Sequence, residues 1–146
     1  MTRKLTSEHA TADDSTGLLL WQVTNRWQAA QRAALKPFGL THVQFVLLAS
    51  LTWLDSDVPV TQRQLADHAA TDPMMTSQVL RVLERRGLVE RASHPDDLRA
   101  WALSPTRAGV ELANRANAVV EACDAAFFAA LGADAARFTS ALRRLR

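Results

Sequence analysis

Apolar positions recur along the chain at helical spacing, in segments separated by short polar stops. From Pro73 to Arg86, Met75, Val79, Val82 and Leu83 stand at i, i+4, i+7 and i+8, which predicts one buried stripe. Ser77, Gln78, Arg81 and Arg85 share the other face. Asp72 suits the N-cap, Pro73 the first helical position, and Gly87 the left-handed turn that ends the helix. Just upstream, Thr61 and Gln64 form a capping box that opens a short helix to about Ala69, with Leu65, Ala66 and Ala69 facing inward. Ala70 and Thr71 make the turn. A short helix, a tight turn and a longer helix with a polar outer face match the helix-turn-helix pattern, although a plain core hairpin of helices reads the same way.

The flanks have their own periods. Thr16 to Leu35 carries Leu20, Val23, Trp27, Ala30 and Ala34 as a stripe, and Leu18, Leu19 and Trp21 widen it beyond what a small domain covers. Thr41 with Gln44 caps a second helix, apolar nearly all round through Val43, Phe45, Val46, Leu47, Leu48, Leu51 and Trp53, until Asp55-Ser56-Asp57 breaks it. Val58-Pro59-Val60 is a short extended piece. After Gly87, Leu88 to Ser93 and Ala100 to Leu103 are extended runs around the polar tip His94–Arg99, a hairpin. Ser104-Pro105 should then start a helix reaching about Leu131, with Leu112, Ala116, Val119, Cys123, Phe127 and Ala130 on one side and Val120, Ala126 and Phe128 extending that surface. Gly132 stops it, and Asp134 caps a last helix with Phe138, Ala141, Leu142 and Leu145 on its apolar face.

The predicted fold is therefore mainly α with a small β-hairpin wing: a winged helix-turn-helix over about residues 41–104. Helices over about 16–36 and 105–146 would form a helical dimerisation lobe. Residues 1–15 read as a flexible polar tail, and 16–146 as a single domain.

Composition narrows the chemistry. A chain of 146 residues suits one domain, and a net charge of +2 excludes a polybasic tail. Of 17 basic residues only Lys4 and Lys36 are lysines; the rest are arginines, which suit phosphate and guanine contacts but also follow a high-GC genome. A single cysteine, Cys123, permits no intrachain disulfide and no cysteine-rich zinc site, as in a reducing cytosol. No signal pattern opens the chain, and no apolar run approaches the roughly 20 residues that cross a bilayer, so a cytoplasmic protein without a membrane partner is expected. No histidine, cysteine or serine sits in a nucleophile–base motif, and no phosphate loop or metal-ligand cluster is present; neither enzyme activity nor a cofactor is expected. The five glycines read as helix ends and loop punctuation.

An ordered set of segments carries a family resemblance. Gly39-Leu40-Thr41, Gln44-Phe45, Gln64-Leu65-Ala66, Leu83 to Arg91, Pro95 to Ala100 and Leu103 to Thr106 resemble the MarR (multiple antibiotic resistance regulator) family over about residues 17–145. The resemblance implies a homodimeric winged-helix transcription regulator, probing the major groove with Pro73–Arg86 and the minor groove with the wing. It implies that Arg99 enters the minor groove and that Asp97 holds it. Family wings often read Asp-Pro-x-Asp-Arg-Arg; here His94 and Leu98 replace the first and fifth positions. Gln78 stands where many members carry arginine, which shifts the favoured base from guanine towards adenine.

The resulting site set is specific. Ser77, Gln78 and Arg81 are the candidate major-groove contacts, with Thr76 and Arg85 beside them. Gln62 and Arg63 could meet phosphates at a helix N-terminus, or be plain surface. Met74 and Met75 read as turn fillers. Trp21, Trp27, Trp53 and His42 are candidates either for core packing or for a pocket that takes a phenolic or anionic effector, as family members often do. Cys123 lies between Glu121 and Asp124 and reads as a small buried hydrophobe rather than a reactive thiolate. The expected function is a ligand-responsive repressor binding a pseudo-palindromic operator as a homodimer. Two alternatives stay open: a winged-helix protein-interaction module, and a Cys123-based redox switch.

Overall fold

The central helix is α2 (His42–Leu54), and its sequence explains why. Phe45, Leu47, Leu48 and Leu51 point to more than one side of it, and all are buried. Each leucine contributes roughly 2 kcal/mol on removal from water. In this computed structural model, which describes residues 4–54 and 57–146, α1 (Thr16–Leu35), α3 (Gln62–Ala69), α4 (Pro73–Arg85) and α5 (Arg107–Phe128) all pack against α2. The core joins Leu35, Leu65, Leu80, Leu83, Leu112 and Ala116 around it. Asp55 and Ser56, two residues of the expected helix break, lie outside the described residues, as do residues 1–3 of the expected tail. Within the rest of that tail, Ala12–Asp14 forms a short 3-10 turn capped by Thr11.

The expected extended piece becomes β1 (Val60–Thr61), and the hairpin becomes β2 (Val89–Ser93) and β3 (Trp101–Pro105). All pairings are antiparallel in the order β1-β3-β2, with Val60 opposite Leu103 and Arg91 opposite that same Leu103. β1 thus ties the start of the helix-turn-helix to the root of the wing. The caps behave as read: Gln44 N–H reaches the Thr41 hydroxyl at 3.2 Å, and Gln64 N–H the Thr61 hydroxyl at 3.1 Å. Between α3 and α4, Ala70 takes a left-handed φ of 52°, a conformation that costs a Cβ-bearing residue about 1–2 kcal/mol and sets the tight turn.

Several expectations shift. The buried stripe of α4 is Thr76, Leu80 and Leu83 with Val79 alongside, so Met75 lies outside it. α5 begins at Arg107, not at Pro105: β3 runs on to Pro105, which pairs with Val89, and Thr106 is the N-cap. The Thr106 hydroxyl accepts from Gly109 N–H and donates to the Gly87 carbonyl at 2.6 Å, so one side chain anchors two helix ends. The inner stripe of α5 is Leu112, Ala113, Ala116 and Val120, while Val119 faces out. α5 ends at Phe128; a 3-10 segment with Gly132 at φ 53° leads to α6 (Ala135–Arg143). Asp134 makes no side-chain cap there.

Two glycines are not punctuation. Gly17 lies inside α1 and Gly109 inside α5. A Cβ at Gly109 would land on the Leu88 carbonyl oxygen, so α5 can approach the start of β2 this closely only with glycine there.

Apolar surface is left over at both chain ends. Leu18, Leu19, Leu20, Trp21 and Val23 are exposed on α1, and Leu142 on α6. The run Arg107–Arg143 is long and apolar enough, by length and composition, to cross a membrane, which corrects the expectation that no such stretch exists. Alanine richness produces that property. The same run packs its inner stripe on α1 and α2 and holds Asp124 bonded to α1.

Candidate nucleic-acid interface

α4 presents its outer face because its inner face is fixed by Leu80 and Leu83, both essentially inaccessible. Gln78, Arg81 and Arg85 are exposed on that outer face, and Ser77 is half-buried at its margin. At i, i+3 and i+7, Gln78, Arg81 and Arg85 form one row along the helix. Thr76 does not join them. It is 0% exposed; its hydroxyl donates to the Asp72 carbonyl at 2.8 Å and bonds the Thr71 hydroxyl at 2.7 Å. Thr76 staples the turn before α4, and its expected contact with DNA is withdrawn. The Asp72 carboxylate accepts from Met74 and Met75 N–H at 2.9 and 3.0 Å, completing the helix start.

Gln62, Arg63, Asp97 and Arg99, assigned from separate stretches of sequence, line one open cleft of about 720 Å³ with Pro73 and Trp101. The cleft runs between the starts of α3 and α4 and the wing. Arg63 and Arg99 supply its positive charge; Asp67 and Asp97 are also on its wall. Asp97 is engaged: its carboxylate takes the backbone N–H of Arg99 at 3.0 Å, and its carbonyl takes that of Ala100 at 3.1 Å. Asp97 therefore holds Arg99 by shaping the backbone turn. Among the described residues, no carboxylate lies within ion-pair distance of the Arg99 guanidinium.

Sequence reasoning passed over the brace behind this cleft. Arg91 on β2 donates to Glu84 of α4 at 2.8 Å, and its guanidinium sits 5.4 Å from the Trp101 ring centre. One side chain thus links the recognition-type helix to the wing and backs the tryptophan that walls the cleft. Charge pairing between Glu84 and Arg91, seven residues apart across a helix end, was the available signal. Arg86 is also committed, donating to the Gly39 carbonyl at 2.9 Å.

The four residues weighed for an effector pocket do not converge. Trp21 is 69% exposed on α1 and Trp53 82% exposed on α2, beside a shallow hollow with Asn114 and Asn117 of α5. Trp27 and His42 do meet, edge to face at 5.0 Å. Their neighbours were missed in the sequence. Asp124 of α5 accepts from Trp27 Nε1 at 2.8 Å and from Gln31 Nε2 at 2.6 Å. Gln31 is fully buried, and among the described residues its Oε1 has no hydrogen-bond partner. Turning the amide over would set oxygen against the carboxylate, so the orphan is the acceptor. A charged residue on the inner side of an alanine-rich helix was the signal for Asp124. Cys123 beside it is half-buried.

Burial lowers the His42 pKa below its ordinary 6.5, Arg32 lowers it further, and Asp124 opposes both. A histidine held neutral by the fold is protonated first in the unfolded chain. Stability should fall as pH drops below about 6.5 and level off once pH passes the folded value. His42→Gln should flatten that part of the profile, as measured by urea unfolding across pH 7.5 to 5; an unchanged profile would exclude His42 as its source.

Helix-turn-helix, three-stranded sheet and projecting hairpin together define a winged-helix protein. The profile of the MarR family matches residues 40–101, which include the helix-turn-helix and the wing up to Trp101. The chain is 45% identical over 125 residues to the uncharacterized HTH-type transcriptional regulator YdcH of Bacillus subtilis, covering 85% of each. It is 38% identical over 123 residues to the HTH-type transcriptional repressor Rv2887 of Mycobacterium tuberculosis, covering 84% of this chain and 86% of that one. Among solved structures, a MarR-family regulator from Rhodococcus sp. RHA1 superposes with a TM-score of 0.85 at 26% identity, over 94% of this chain and 96% of that one. Rv2887 in complex with DNA superposes at 0.70 with 36% identity, over 90% and 97%; a complex of Rv2887 with salicylic acid gives the same score and identity, over 93% and 100%. The chain belongs to the MarR family.

Proposed function

We propose that this protein is a DNA-binding transcriptional repressor that acts as a homodimer on a pseudo-palindromic operator and responds to a small ligand. The observation that carries the reading is the alignment of Gln78, Arg81 and Arg85 on the outer face of α4, next to the cleft holding Arg63 and Arg99. Such a helix suits the major groove, the wing the adjacent minor groove, and the cleft the phosphate backbone between them. DNA bound by the relative Rv2887 supports this.

Dimerisation is supported by the apolar surface left open on α1, α5 and α6, whose natural cover is the same surface of a second copy. The lobe then comprises α1 with the segment to Lys36, α5 and α6, around the winged helix. A ligand site is supported by the unpartnered Gln31 acceptor beside Trp27, His42 and Asp124, where α1, α2 and α5 meet, and by the salicylic acid bound to Rv2887. A phenolic hydroxyl would satisfy that acceptor. This function requires no catalytic group, and a transcriptional role fits a cytoplasmic protein.

Gln78→Ala tests the reading. A bidentate carboxamide–adenine contact discriminates by about 1–3 kcal/mol, so the variant should lose roughly tenfold or more of its preference for operator over unrelated DNA. Non-specific affinity should barely change in titrations of both duplexes. Equal losses on both would make Gln78 a positioning residue.

A further inference from the structure

Met74 and Met75 occupy the first turn of α4 and are 72% and 46% exposed. Neither fills the turn or the core, contrary to the expectation from sequence. Their backbone is fixed, because both N–H groups are held by the Asp72 carboxylate. Met74 stands four residues before Gln78 and seven before Arg81, so it heads the same outward row; Met75 is three before Gln78. Two thioether side chains thus lead a face that is otherwise polar and basic.

We infer that Met74 and Met75 are specificity-determining residues that pack on thymine C5-methyl groups in the major groove. This rests on α4 being the recognition helix. The first turn of such a helix is the part that contacts base edges. On those edges the thymine methyl is the largest apolar feature; cytosine offers only a C5–H in its place, and the remaining readable groups donate or accept hydrogen bonds. A thioether set against guanine O6 or cytosine N4 would strip water from a polar atom and return no hydrogen bond. Methionine is flexible and polarizable, so it can close on a methyl without demanding one geometry. Gln78, one turn further on, suits adenine. The two methionines and Gln78 therefore select an A·T-rich stretch within each half-site. A protein partner would be a poorer match, since it would have to cover Gln78, Arg81 and Arg85 along with the methionines.

The test uses the full chain and the duplex it selects from a randomised pool. Deoxyuridine replaces thymidine one position at a time, in both half-sites, removing only the methyl group. Binding is followed by fluorescence anisotropy for the wild type, Met74→Ala, Met75→Ala and the double variant. At one or two half-site positions, wild-type affinity should fall about fourfold for each half-site, the worth of one buried methyl. The alanine variants should be insensitive to the same replacement while keeping the wild-type salt dependence and helical circular dichroism. Indifference of the wild type to deoxyuridine everywhere, an equal loss in the double variant, or a selected half-site without thymine would overturn the inference. A chain that selects no duplex at all would overturn the DNA-binding reading with it.

Discussion

Gly109→Ala should destabilise the fold by about 2–3 kcal/mol, the upper part of the range for overpacked core substitutions, where an alanine inside a helix ordinarily gains about 1 kcal/mol over glycine. The sign reverses because of what surrounds the position. The added Cβ would fall on the Leu88 carbonyl oxygen, with a Leu48 methyl 3.3 Å away. That carbonyl already accepts the Thr106 N–H at 3.0 Å, and the adjacent Gly87 carbonyl accepts the Thr106 hydroxyl. Relief requires α5 to draw back from the root of β2, which loosens both bonds and the Leu88 packing together. Gly17→Ala is the matched control. It also lies within a helix, but among the described residues nothing lies within 4 Å of its added Cβ, so it should stabilise by about 0.5–1 kcal/mol. Urea unfolding of the two variants should give opposite signs. A neutral Gly109→Ala would contradict the close approach of α5 to the wing root.

Arg99→Ala should leave stability within about 0.5 kcal/mol of wild type, since the side chain is exposed. DNA binding should nevertheless weaken. The slope of log affinity against log salt should become smaller by about 1 for each phosphate no longer neutralised, hence by about 2 for a dimer. The wing tip is ordered by backbone bonds rather than by the guanidinium. His94 N–H reaches the Ala100 carbonyl, Asp96 N–H reaches His94 Nδ1, and Arg99 N–H reaches Asp97. Removing the Arg99 side chain leaves this scaffold standing and deletes only the charge. Exposed Leu98 beside it supplies none. An unchanged salt slope would mean that the wing does not touch the phosphate backbone or minor groove.

Local signals in the sequence carried far. The capping boxes at Thr41 and Thr61, the Asp72-Pro73 start and the Gly87 stop were legible because each is decided within four residues. Phase was harder. In α4, Met75, Val79, Val82 and Leu83 make as good an apolar line as Leu80 and Leu83 with Thr76 between polar neighbours, and the burial of Leu80 and Thr76 shows which line faces the core. In α5, Val119 and Val120 are adjacent, and alanines on both sides give either phase similar weight. Long-range relations could not be read at all: the Gly109 approach to Leu88, the Asp124 bonds to Trp27 and Gln31, and the Glu84–Arg91–Trp101 brace each need the tertiary fold. The site followed the same rule. The outward row of α4 was nearly complete from spacing alone, whereas the burial of Thr76 and the exposure of the two methionines emerged only once the true phase was known.

The most direct measurement is selection of binding sites by the intact chain from a pool of randomised duplexes, followed by sequencing. Two α4 helices in a symmetric dimer should enrich a pseudo-palindrome with half-sites about one helical turn, roughly 10 base pairs, apart, and Gln78→Ala should broaden the base preference within each half. No enrichment, or enrichment of a site without two-fold symmetry, would contradict the assignment of α4 as the recognition helix of a homodimeric regulator.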